Sequence, residues 1–122
     1  MRYARLPEQT WVLSESISIT LDASGNGTVW IGPQRPGQRW RVRGAAVSTT
    51  TAVKVPTFNL YRGGPSPGNL LAATYTGSSD STNDLAEEFS PGAFLTGVWQ
   101  GGDVDAVATL SLSGDLLIRY PG

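Results

Sequence analysis

The 122-residue chain carries 9 Lys and Arg against 10 Asp and Glu, and it contains neither His nor Cys. Those two absences exclude disulfide staples, thiol nucleophiles, histidine general bases, Ser-His-Asp triads and metal centres built on His or Cys. The length fits one domain, and a formal net charge of −1 gives no overall pull toward nucleic acid.

Residues 1–10 hold Arg2, Tyr3, Arg5 and Pro7 with little hydrophobic patterning, and they read as an extended N-terminal arm outside the core. No apolar run reaches the ~18 residues of a membrane span, and the first residues lack the apolar centre of a secretory signal. Synthesis and assembly in a cytoplasm are therefore expected. Residues 11–122 read as a single β-sandwich domain. Ile17, Ile19 and Leu21 alternate with Ser18 and Thr20, residues 22–27 break the run, and Thr28-Val29-Trp30-Ile31 resumes it, which predicts a hairpin. A loop at Gly32-Pro33 and Pro36-Gly37 leads into a long extended segment over 38–51, whose second half is rich in β-branched residues.

Further strands are predicted over 57–62, 70–76, 94–100, 106–112 and 116–120, with Ser113-Gly114 joining the last two as a tight hairpin. Gly63-Gly64-Pro65-Ser66-Pro67-Gly68 is the clearest loop, because prolines and glycines there deny both ladder hydrogen bonds and helical continuity. Residues 84–89 offer one helical turn, with Asp84 as cap and Glu87 reaching back, stopped by Ser90-Pro91-Gly92. About eight short strands in one small domain predict an all-β, antiparallel, jelly-roll-like sandwich.

Three of the eight arginines, Arg39, Arg41 and Arg43, alternate with Trp40 and Val42, so a strand sets the guanidinium groups on one face and the apolar pair on the other. Like charges ~6–7 Å apart repel unless paired. Acids of the same domain meet them, with Asp22, Glu87 and Glu88 as candidates, or an acidic patch on another subunit does, or, against the whole-chain charge, nucleic acid. Four tryptophans are many for this length; Trp40 belongs to the core, while Trp11 and Trp30 fall on faces opposite Val12 and Val29 and are candidates for exposure. An exposed Trp serves as an interface anchor or a sugar-stacking platform.

Asp80, Asp84, Asp103 and Asp105 lie in polar loops where carboxylates could bind Ca²⁺, but satisfying backbone N–H groups in turns is the simpler use. The Gly63–Gly68 loop lacks the Lys-Ser/Thr ending of a phosphate loop, and Asn26-Gly27-Thr28 is worth more as turn chemistry than as a glycosylation sequon. Glu87 and Glu88 point apart in a strand, and nothing marks a catalytic carboxylate pair, so no enzyme activity, metal or cofactor is expected.

Four segments, Pro36-Gly37-Gln38-Arg39-Trp40-Arg41-Val42, Phe58-Asn59-Leu60-Tyr61-Arg62-Gly63, Thr76-Gly77-Ser78-Ser79-Asp80-Ser81-Thr82 and Val98-Trp99-Gln100-Gly101-Gly102, together resemble the small, His- and Cys-poor β-sandwich virion proteins of tailed phages infecting actinobacteria, over roughly residues 30–112. The resemblance implies a structural role in the virion, such as capsid decoration or a minor tail protein, often as a homotrimer on a major capsid or other virion protein. No catalytic residue is carried over. The expected contact residues are Arg2, Tyr3 and Arg5 on the arm, the Arg39/Arg41/Arg43 stripe, and Trp11 or Trp30. The competing expectation is a carbohydrate- or receptor-binding module of a tail or tail fibre, with exposed Trp stacking on a surface glycan.

Overall fold

The chain pairs with itself as one long hairpin whose tip is the loop at residues 63–68. In the computed structural model, which describes residues 8–119, nine strands follow in order: β1 (Gln9–Thr20), β2 (Gly27–Ile31), β3 (Gln38–Thr49), β4 (Thr57–Arg62), β5 (Leu70–Thr74), β6 (Ser79–Thr82), β7 (Glu87–Phe89), β8 (Leu95–Gln100) and β9 (Val107–Ile118). β4 pairs with β5 across the tip, β3 with β6 and β7, β2 with β8, and β1 with β9, all antiparallel. Two further pairings, β3 with β9 and β4 with β8, roll this hairpin into two sheets. One sheet runs β1-β9-β3-β6 with β7 also on β3, and the other runs β2-β8-β4-β5. β6 and β7 lie end to end on β3, against residues 45–48 and 40–42. Counted as one interrupted strand, they complete an eight-stranded jelly-roll sandwich.

The inner faces follow the period of two. Val29, Phe58, Leu60, Leu95, Leu110 and Leu112 are buried between the sheets. Trp99 is fully buried, with its ring centroid 4.7 Å from that of Phe58, and its Nε1 donates to the Gly77 carbonyl at 3.0 Å. That bond satisfies the one polar atom the indole takes into the core.

Strand β3 changes the parity of its buried positions partway along. Trp40 and Val42 face inward before a bulge between Val42 and Gly44, and Ala45 and Val47 face inward after it. Arg43 is the extra residue, left on the exposed side. Gly114 of β9 sits opposite this bulge at φ 152°, and a Cβ there would lie 2.0 Å from the Arg41 carbonyl oxygen.

Four expectations are corrected by this architecture. Residues 17–21 and 28–31 do not form a hairpin, because β1 and β2 lie in different sheets. The intervening turn carries the chain across the sandwich, and Asp22 Oδ1 accepts the Ser24 and Asn26 N–H groups at 2.8 and 3.0 Å. Ser113-Gly114 is no turn: β9 runs through it, and the glycine serves the bulge of the neighbouring strand. Residues 84–89 are not helical, since Glu87–Phe89 adds to the edge of β3 and buries Phe89. Gln9 and Thr10 belong to β1, opposite Ile118 and Leu117, so the sandwich begins two residues before the expected boundary at 11.

Candidate interaction surface

The arginine stripe is met by carboxylates of its own chain. β7 brings Glu88 opposite Arg41, and β9 brings Asp115 into the same row. Arg41 Nε and Nη2 donate to Glu88 Oε1 at 3.2 and 3.1 Å, and its Nη1 lies 3.8 Å from Asp115 Oδ2. The same Asp115 oxygen accepts from Arg43 at 3.0–3.1 Å. Arg39 donates to Glu8, which lies just before β1 and also has Arg119 at 3.8 Å. The Arg39 hydrogen bond is the main influence holding the Glu8 carboxyl below its usual range, and the same bond raises the Arg39 guanidinium above its own. The result is a solvent-exposed ladder of alternating charge at one end of the first sheet, where each pair is worth about 0–1 kcal/mol.

Of the three acids suggested by sequence, Glu88 therefore pairs with the stripe, while Asp22 caps its turn and Glu87 pairs with Arg62 at 3.1 Å. Arg62 at the end of β4 also donates to the Glu88 carbonyl at 2.8 Å and lies 4.4 Å from the centre of the Phe89 ring. It clamps β7 of one sheet to β4 of the other.

Beyond the ladder, the outer face of the first sheet bears no charge among the described residues. Register places Ser16, Ser111, Ala46 and Ser81 in one row, and Ser18, Thr109, Ser48 and Ser79 in the next. Ser18 and Thr109 hydroxyls bond to each other at 2.7 Å. The outer face of the second sheet is also uncharged but aromatic: Trp30, Thr96, Tyr61 and Leu70 form one row, Thr28, Val98, Asn59 and Ala73 the next. Trp30 is 63% exposed there. A shallow depression beside it is formed with Gly32, Pro33, Gln34 and Phe94. Asn59 Nδ2 donates to the Tyr61 hydroxyl at 3.1 Å, which fixes the ring orientation.

Trp11 is 57% exposed, but it lies on the same face as the buried Leu13; Val12 is the residue turned outward, at 84%. Its indole Nε1 donates to Gln9 Oε1 at 3.3 Å. Arg2, Tyr3 and Arg5 lie outside the described residues. Exposure of both tryptophans was expected from alternation, but only that of Trp30 follows from it; Trp11 is exposed although it lies on the inward face, near the start of the strand.

Two of the four aspartates named from the sequence, Asp103 and Asp80, are engaged by groups of their own chain. Asp103 accepts the Val53 and Lys54 N–H groups at 2.9 Å each, and the Lys54 bond is the main reason its carboxyl titrates below the usual range. Asp80 is lowered chiefly by the Thr74 hydroxyl, then by the Ser81 N–H and the Thr76 hydroxyl. Among the described residues no three acids lie close enough together to hold a metal ion. Among the described residues no helix is long and apolar enough to cross a membrane. In comparisons with protein-family models, curated proteins and solved structures, nothing matches the chain.

Proposed function

We propose that the chain is a non-enzymatic structural protein that works by contact with other protein surfaces, in the setting the sequence resemblance implies: the outside of a virion, bound to a major capsid or other virion protein. The observation that carries this reading is the distribution of charge. The carboxylates and guanidinium groups of the first sheet neutralise one another in a ladder at one end, which leaves two broad sheet faces uncharged, one of them bearing an exposed Trp. Depletion of charge with an aromatic anchor is the composition of an interface centre. The jelly roll is a fold used by capsid and lectin domains alike, so it supports the reading by analogy only.

The test is occupancy on assembled particles. The protein is expected to band with gradient-purified particles at fixed stoichiometry, and Trp30→Ala is expected to lower that occupancy while leaving the fold intact. A chain recovered only in the free fraction overturns the virion setting. Deleting residues 1–8 tests the arm in the same assay, where unchanged occupancy removes it from the contact.

The row of Trp30 and Tyr61 with Asn59 beside it supports a second reading, a carbohydrate-binding face on which a sugar ring stacks and hydroxyls meet amide groups. Tryptophan fluorescence titrated with cell-wall polysaccharide distinguishes the two. Saturable binding that Trp30→Ala abolishes favours the glycan reading.

A further inference from the structure

Strand β1 has, among the described residues, a single neighbour, β9. It is 12 residues long and pairs with β9 without a bulge. It contains no Pro and no Lys, the usual devices that blunt a sheet edge against further pairing. Its only charge is Glu15, and Trp11 and Val12 are exposed along it. The other edge strands, β2, β5, β6 and β7, are only three to five residues long.

We propose that β1 pairs antiparallel with β1 of a second copy about a two-fold axis at Ser14, fusing two five-stranded sheets into one continuous sheet. The inference goes beyond the proposed function and stands whichever partner the outer faces bind.

The register follows from geometry and charge. A two-fold axis normal to the sheet keeps inward residues opposite inward ones, so the axis must pass through a residue of β1 rather than between two. An axis at Glu15 opposes the two Glu15 carboxylates directly, which is destabilising. An axis at Ser16 leaves Trp11 beyond the paired stretch. With the axis at Ser14, Glu15 faces the second copy's Leu13, and Trp11 faces its Ile17, an aromatic and β-branched pair of the kind that stabilises sheets. The outer face then reads Thr10 to Ser18, Val12 to Ser16 and Ser14 to Ser14, with no charge. A trimer built on this edge would need β1 to meet one of the short edges of the next copy, where at most five residues can pair.

Sedimentation equilibrium of the full chain tests this. The wild type is expected at twice 12.9 kDa. Ser14→Glu and Ser14→Lys each set like charges across the axis and are expected to be monomeric, with unchanged circular dichroism because Ser14 is exposed. Mixing the two variants is expected to restore a dimer. Ser18→Glu, which meets only Thr10 of the second copy, is expected to remain dimeric. In Ser14→Cys, the only Cys of its chain, a short bis-maleimide is expected to link two copies; in Ser18→Cys the paired thiols lie about 27 Å apart and should not link. A wild-type monomer, a trimer, or a dimer indifferent to Ser14→Glu overturns the proposal. Because the Ser14→Glu monomer keeps the outer face of the second sheet, with its exposed Trp30, the particle occupancy of that variant reports on the proposed function separately.

Discussion

Gly114→Ala tests the feature that most separates the fold from a reading of the sequence by turn signals. Gly114 has φ 152°, and an added Cβ would stand 2.0 Å from the Arg41 carbonyl oxygen and 3.0 Å from the Arg43 nitrogen. Both atoms are backbone, so no side chain can swing away. Restoring an ordinary contact requires β3 and β9 to separate by more than about 1 Å at the bulge, and hydrogen bonds elsewhere in the ladder are too short-ranged to survive that locally. Losing two of them costs about 2 kcal/mol, and the φ value adds about 1–3 kcal/mol for a residue with a side chain. The expected destabilisation is about 3–5 kcal/mol, which at roughly 4 °C per kcal/mol for a chain of this length lowers Tm by about 12–20 °C. Urea unfolding followed by circular dichroism measures it. Gly64→Ala is the control, since nothing lies within 4 Å of a Cβ there, and its expected effect is within about 0.5 kcal/mol. A Gly114→Ala cost below about 1 kcal/mol would mean that the chain turns at Ser113-Gly114 and that β9 is not one strand.

Trp99→Phe removes the donor to Gly77 and leaves a void beneath Phe58, so a loss of about 2–4 kcal/mol is expected in the same unfolding assay. Arg62→Ala is expected to cost about 1–2 kcal/mol through its hydrogen bonds to Glu87 and the Glu88 carbonyl and its stacking on Phe89, and Arg62→Lys should not restore it, because an ammonium lacks the planar fork. Asp80, Asp103 and Glu8 all titrate below their ordinary values when folded. Their contribution is therefore complete above the unfolded values, 3.8 for Asp and 4.5 for Glu, and is lost as pH falls through the lower folded values. With no His or Cys, stability should be flat from about pH 5 to 7 and decline only in acid. Asp103→Asn should shrink that acid decline in thermal melts across pH.

Strand positions were legible where apolar residues alternate strictly, as in Phe58 and Leu60 or in Trp40 and Val42, because a half-buried strand needs that period. The loop at 63–68 was legible through its prolines and glycines. Sheet membership was not, since Ile17, Ile19, Val29 and Ile31 present the same alternation whether their strands pair with each other or lie on opposite layers of the sandwich. β6 escaped because Ser79, Asp80, Ser81 and Thr82 carry no apolar signal; its place is fixed by the β3 edge it completes. Capping residues at 84–87 gave a helical signal that burial of Phe89 and the Arg41 to Glu88 pairing override. The exposure of Trp30 and the outward placement of Arg39, Arg41 and Arg43 were legible from alternation alone. The acids that meet the arginines come from β7, β9 and the residue before β1, distant in sequence and brought together by topology.

The nesting order also accounts for which surfaces remain open. Pairing outward from the tip at 63–68, each new strand covers the previous edge, and β9 becomes interior because it meets β3 as well as β1. β1, the last layer of the long hairpin, has no strand left in the described chain to cover it. Its length matches that of β3 and β9, so the exposed edge is as long as the best-paired interior of the sheet. Glu15 is the one charge along it, since the arginines of the stripe and their acids are spent on one another at the end of the sheet nearest β7. A second copy of the same strand supplies both the missing hydrogen bonds and a matching uncharged face, and a small core gains stability from that association in proportion to the logarithm of concentration. The proposed self-pairing thus draws on the same topology that makes the sandwich and needs no further specialised site.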